Sequence, residues 1–168
     1  MRSTLSIDVQ ASAEVVFALA RDIERWPALL PHYVRVRVLE RHADGSLVAQ
    51  MLAIRTILPV IGLGAPVVWR AHAWNEPGTR RLRFVHRGGA TAGMDVTWRI
   101  EPTPDGCRVS IDHDFQPGLP APLGSAWALL IDRLFVRPIA SRTLATFKAI
   151  AEAAGEWSDL ASPTNPSR

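Results

Sequence analysis

Cysteine occurs once in these 168 residues, at Cys107, which excludes an internal disulfide framework and any metal site built on a cysteine cluster. Lysine also occurs once, at Lys148, so the basic side of the chain is almost wholly arginine. The formal net charge is only +3. An excess that small argues for nucleic acid only where it clusters, and Arg35/Arg37 and Arg80, Arg81, Arg83 and Arg87 alternate with apolar residues. Alternation of that kind reads as the wet face of a strand, so no nucleic-acid partner is expected. Long hydrophobic runs are missing too. The longest, Ile57 to Trp69, is broken by Pro59, Gly62, Gly64 and Pro66 and falls short of the ~20 residues a membrane helix needs. Met1 leads straight into the polar–apolar alternation of Ser3 to Gln10 with no secretory pattern, so a cytoplasmic location is expected.

Several catalytic signatures are likewise absent. There is no His-Glu-x-x-His, no paired cysteine motif and no Gly-x-Ser-x-Gly. Gly62-Leu63-Gly64 lacks the rest of a dinucleotide fingerprint, and Asp112-His113-Asp114 cannot converge on a metal, because neighbours on a strand point to opposite faces. No cofactor and no metal are expected.

What the chain does have is a globular composition, 48% hydrophobic and 21% charged, and six tryptophans against one tyrosine. Leu5, Ile7 and Val9 alternate as a first strand. Ser12 caps a helix carrying Val15, Val16, Leu19 and Ala20, with Glu14 in its first turn and Asp22 near its end. Val34, Val36 and Val38 mark a second strand, Asp44-Gly45 a hairpin turn, and Leu47 to Arg55 the returning strand. After an apolar loop over 57–66, four more extended runs are expected near Pro66–Asn75, Arg80–Arg87, Thr91–Glu101 and Cys107–Gln116, with Gly88-Gly89 as one of the turns between them. From about Gly124 to Ala154 the pattern turns helical, with Pro138 placed to kink or split the helix. The expectation is one α+β domain over 1–154, about seven antiparallel strands curved over one long C-terminal helix, with a disordered tail over 155–168. A gap between such a helix and such a sheet is the natural ligand site.

Alternation then assigns faces. The interior sets are Val67, Trp69, Ala71 and Ala73; Leu82, Phe84 and His86; Met94, Val96, Trp98 and Ile100; and Val109, Ile111, His113 and Phe115. Aromatic rings beside small alanines either wall a pocket for a planar ligand or pack as an ordinary core. His86 and His113 fall on apolar faces, where an imidazole is either a hydrogen-bonded core residue or a proton-transfer group.

Val16-Phe17, Asp22-Ile23-Glu24-Arg25-Trp26-Pro27-Ala28-Leu29-Leu30 and Tyr33 resemble the opening of the START-like, helix-grip superfamily, closest to its polyketide aromatase/cyclases. Trp69, the Met94–Trp98 strand, Asp114-Phe115 with Pro117-Gly118, and Phe147-Lys148-Ala149-Ile150 extend the resemblance to about Glu152. It implies a helix-grip fold and a cavity that takes a hydrophobic small molecule, either a polyketide-type chain for aldol closure and dehydration or a lipid or quinone carried without chemistry. The cavity walls it implies are Trp26, Tyr33, Trp69, Met94, Trp98 and Phe115, with Thr143 facing the same space from the terminal helix. Tyr33, His86 and His113 are the candidate acid/base groups, and Phe84 joins the walls. Ala73 stands where the aromatase/cyclase pattern has an inward arginine, and His86 where a second is expected, although a one-residue shift would put Arg87 there. The apolar 57–66 loop is left three roles, as a cavity lid, a homodimer contact or a transient membrane contact, beside the plain one of packing on the helix.

Overall fold

The computed structural model describes residues 1–58, 63–89, 91–120 and 122–161. Strand β1 (Arg2–Val9) leads into helix α1 (Ala13–Arg21), a single tight turn (Ile23–Arg25) and the short α2 (Trp26–Leu29). Six strands follow: β2 (Tyr33–Arg41), β3 (Leu47–Leu58), β4 (Leu63–Asn75), β5 (Arg81–Gly89), β6 (Met94–Thr103) and β7 (Gly106–Phe115). Helix α3 (Leu123–Ile131), a wide π-type turn (Asp132–Val136) and α4 (Arg137–Ala161) complete the chain. The sheet is antiparallel throughout, in the order β1-β7-β6-β5-β4-β3-β2, curved and open, with the long C-terminal helix across its concave face. This is the α+β helix-grip arrangement.

Local chemistry explains the elements. Ser12 is the N-cap of α1, its hydroxyl accepting from the Val15 amide, and Glu14 lies at the positive end of the helix. The expected interior sets of β4, β6 and β7 are buried, from Val67 through Ala73, from Met94 through Ile100 and from Val109 through Phe115. Ser110, placed outside by alternation, is buried as well, because its hydroxyl pairs with that of Ser6 across the β1–β7 ladder.

Two bulges re-aim residues that a strict two-residue period would misplace. Between Tyr33 and Arg35 the β2–β3 register shifts, so Tyr33 opposite Ala53 and Val36 opposite Met51 both face inward while Val34 is 49% exposed. Between β4 and β5, Arg70 pairs with Gly88 but Ala71 pairs with His86, leaving Arg87 as the extra, exposed residue. His86, and not Arg87, therefore takes the inward position.

Gly88 and Gly89 belong to β5 rather than to a turn, because Gly89 (φ +86) runs so close to β4 that a Cβ would lie 2.3 Å from the Val68 carbonyl oxygen. The expected 57–66 loop is mostly strand, since β3 and β4 pair out to Thr56↔Gly64 and Leu58↔Leu63. Residues 59–62 lie outside the described residues, and with them the tip on which the lid, dimer and membrane roles rest. Pro138 does divide the C-terminal helix. It has no N–H to offer, and just before it the Arg137 amide reaches back five residues to the Asp132 carbonyl, widening one turn. Helix α4 then continues to Ala161, beyond the expected end at 154, while 162–168 lie outside the described residues.

Polar contacts clamp α4 over the sheet. Lys148 Nζ donates to the Asp8 carbonyl (2.7 Å), the Gln10 amide donates to Glu152 (2.7 Å), and at the other end Arg142 donates to Thr56 (3.2 Å). Among the described residues no helix is long and apolar enough to cross a membrane.

Candidate functional site

Between the sheet and α4 lies a hollow with about 610 Å³ of space between atoms, counting its open mouth, of which about 80 Å³ admits the centre of a water molecule. The smaller figure lies below the ~300–1,000 Å³ of a typical small-molecule site, and the larger one reaches that range only by including open solvent. Trp26, Tyr33, Trp69, Phe84, His86, Met94, Trp98, His113 and Thr143 all line it. Phe115 does not. It lies one inward step beyond His113 on β7, among Met1, Leu119 and Ala128 under α3, where it is core. Alternation places Phe115 on the correct face but says nothing about how far along the strand the hollow extends.

An aromatic network sets the shape of the walls. Trp26 contacts Tyr33 edge-on (5.1 Å between ring centroids), Phe84 (5.9 Å), Trp98 (5.7 Å) and Phe147 (6.0 Å), and its indole N–H donates to the Ala20 carbonyl (3.1 Å). Buried aromatic pairs of this geometry each add about 0.5–1.5 kcal/mol beyond the burial of their surface. Opposite these rings, Ala49, Ala53, Ala71 and Ala73 keep the concave face low. The alanine at 73 leaves no cation at that place.

The polar groups form two sets. In the first, His86 stacks on Trp69 (5.9 Å, 24° between planes), and its Nδ1 bonds the Thr91 hydroxyl (2.7 Å) while its Nε2 has no protein partner among the described residues. Burial pushes the His86 pKa down to about 3, with nearby His113 adding to the effect. His113 is buried, and its Nδ1 has no hydrogen-bond partner among the described residues. Desolvation lowers its pKa to about 4, against the pull of Asp132 and Asp112 and with the help of Arg137. Both rings are neutral at pH 7, so each presents a lone pair and an N–H rather than a fixed charge.

The second set centres on Thr143. Its hydroxyl donates to the Ile139 carbonyl (2.9 Å), so it must accept at 2.8 Å from His32, whose Nε2 therefore carries the proton and whose buried Nδ1 is bare. Desolvation, then the charge of Arg142, lowers the His32 pKa to about 4. Burial raises the Tyr33 pKa well above the usual phenol value, against a smaller opposing effect of nearby Thr143, so the phenol keeps its proton.

Sequence reasoning missed four features. His32 precedes Tyr33 and sits outside any alternating run. Thr91 falls in a turn. Phe135, Val136, Ile139 and Ala140 line the hollow from the helix side, where a register across the π-type turn is not legible. Asp132 is buried and accepts from Ser3 Oγ (2.8 Å) and Arg137 Nε (2.7 Å), which ties the π-type turn to β1. A charged residue next to an arginine in a helical pattern looks like a solvated pair. No group of three or more metal-ligating side chains converges among the described residues, and Asp112 and Asp114 point away from His113 to pair with Arg99 and Arg2.

Comparisons agree with this architecture. Zhui aromatase/cyclase from Streptomyces sp. R1128 is 16% identical and superimposes with a TM-score of 0.72 over 90% of this chain and 93% of that one. A protein from Thermus thermophilus is 21% identical, with a TM-score of 0.67 over 92% and 97% of the two chains. At such identities the likeness is one of fold. A Streptomyces cyaneus protein assigned by name to the polyketide cyclases is 30% identical over 122 residues, 71% of this chain and 76% of its own. The family model described as polyketide cyclase / dehydrase and lipid transport matches residues 1–152. Matched along nearly its whole described length, the chain belongs to the polyketide cyclase / dehydrase and lipid transport family.

Proposed function

We propose that the hollow binds an aromatic or polyketide-type molecule and promotes ring closure with loss of water. The observation that carries this reading is the pairing of tryptophan walls with two imidazoles, His86 half-buried and His113 buried, that each keep a ring nitrogen free of protein partners among the described residues. In such a reaction a base removes a proton from the carbon between two ketones, the resulting enolate carbon forms a bond to a second carbonyl carbon, and the new alkoxide is protonated. Removal of a second proton and departure of the hydroxyl as water then give the double bond. His86 or His113 is the base. A ring whose pKa is depressed while the site is empty gains basicity beside a developing enolate, because the negative charge favours the imidazolium. The Tyr33 phenol, which holds its proton, donates to the ketone oxygen. The test is incubation with a reduced poly-β-ketone and chromatography of the products. Wild type is expected to shift the spectrum toward cyclised, dehydrated products and His113→Ala to lose that shift; identical products with and without protein would overturn the reading.

One observation favours a second reading, non-catalytic carriage of a lipid or quinone. Among the described residues no charged side chain lines the hollow, and Ala73 stands where an inward arginine could have been. That reading predicts a co-purifying apolar ligand detected by mass spectrometry and the same ligand occupancy in His113→Ala.

A further inference from the structure

The sheet is electrically lopsided. Strands β2 to β5 carry eight arginines and a single acid, Glu40. Strands β6, β7 and β1 carry five acids and three arginines, and all three of those arginines are paired, Arg99 with Asp112, Arg108 with Asp8 and Arg2 with Asp114. On the other half Arg35, Arg37, Arg70 and Arg87 are exposed, and none has a carboxylate partner among the described residues.

Register places three of these arginines on one surface. Arg37, Gln50, Arg70 and Gly88 form one row across the convex face, Arg35, Leu52 and Val68 the next, and Arg87 stands at the bulge beside Gly88. From strand geometry, Arg35 and Arg37 are about 7 Å apart along β2, and Arg37 and Arg70 about 10 Å apart across two ladders. Carboxylates spaced one and two turns apart on a helix lie at about 6 and 11 Å, close to both intervals.

Protection of an exposed edge accounts for charges and bulges on β2 but not for Arg70 and Arg87, which lie on interior strands. Val34, Ile54 and Val68, 49%, 41% and 44% exposed, are interspersed with the arginines. A phosphate backbone offers nothing apolar to cover them. Nor is there a free stacking platform, because the outward Trp74 is tilted against His72 and overlaid by Arg83. Arginines around exposed aliphatic residues, with no lysine, match the composition of protein interfaces.

We propose that the convex face of β2–β4, with Arg87 at its border, docks a partner protein that presents a helix bearing carboxylates on either side of an apolar strip. The proposal does not depend on what the hollow does. As the probe, a synthetic amphipathic helix of leucine and glutamate is titrated into the full-length protein and followed by amide NMR. Parallel titrations use the lysine-for-glutamate peptide, a single-stranded DNA oligonucleotide and phosphatidylglycerol vesicles. The expected result is that the acidic helix binds, that shifts map to the outward residues of β2–β5, and that Arg35→Glu/Arg37→Glu/Arg70→Glu weakens binding at least about tenfold. Arg108→Gln on the opposite half should leave it unchanged. Among the described residues those three arginines have no ion-pair or hydrogen-bond partners to lose, so the triple variant should keep the wild-type Tm, which separates a binding defect from misfolding. Absence of binding, equal binding by the triple variant, or tighter binding to DNA or vesicles than to the acidic helix would each overturn the proposal.

Discussion

The two walls of the hollow differ in kind. On the sheet side, β4 to β7 contribute Trp69, Phe84, His86, Trp98 and His113 from paired strands. On the helix side, Phe135, Val136, Ile139, Ala140 and Thr143 follow a π-type turn held by one buried carboxylate and its two donors. Two of the three lining indoles, Trp69 and Trp98, and both lining imidazoles stand on the sheet wall, while Trp26 comes from α2. The helix wall is mainly aliphatic, with Val136, Ile139 and Ala140 beside Phe135 and Thr143. The difference teaches a division of labour: the sheet carries most of the aromatic and polar lining, and the helix supplies most of the aliphatic lining.

That contrast can be broken by substitution. Trp98→Ala on the sheet wall removes contacts with Trp26 and Phe147 (5.7 and 5.9 Å), and is expected to cost about 3–5 kcal/mol by denaturant unfolding. A cost under about 1 kcal/mol would mean that the sheet wall does not depend on these ring contacts.

Next in size, ring by ring, is the response to acid. His86 and His113 have folded pKa values of about 3 and 4 against an ordinary value of 6.5. The unfolded chain therefore takes up protons that the folded protein refuses, and stability falls as pH drops from about 6.5 toward 4, on the order of 3 kcal/mol for each of the two rings across that window, with His32 adding to the fall. His113→Leu should flatten the fall. An unchanged pH profile in that variant would show that His113 titrates normally.

On the helix wall, Asp132→Leu strips Ser3 and Arg137 of their acceptor and is expected to cost about 2 kcal/mol, together with altered ligand affinity as the π-type turn loosens. Full stability with unchanged affinity would remove Asp132 from the account. The smallest effect is expected from Thr143→Val. It deletes one acceptor of the His32 N–H and should cost about 1 kcal/mol, with His32 signals moving in NMR and His86 signals unmoved.

The two walls also differ in how far the sequence reveals them. A strand facing a core repeats every two residues, so Trp69, Phe84, Trp98 and His113 declare their face without knowledge of their neighbours. Apart from Ser110, buried through its pairing with Ser6, the period fails at bulges, and there it fails in recognisable ways. Tyr33 and Val36 share a face only because Val34 is extruded, and the choice between His86 and Arg87 rests on the bulge opposite Arg70 and Ala71. The helix wall is read through a π-type turn that shifts the helical phase, so Val136 and Ile139 cannot be assigned by counting from Trp127. His32 and Thr91 sit in turns, where no periodicity exists, and only the contacts with Thr143 and His86 reveal their role. Phe115 shows the remaining gap, since face is a local property and the extent of a hollow is not.

The most direct test uses the five histidines as reporters, with His32, His86 and His113 inside and His42 and His72 on the outside of the sheet. A dihydroxyanthraquinone is titrated into the full-length protein while the imidazole Cε1–H signals are followed by NMR. The account predicts saturable, one-to-one shifts of His86 and His113, absent in a Val67→Trp variant whose hollow is filled, with His42 and His72 unmoved. Shifts confined to His42 and His72, or none at any histidine, would contradict it.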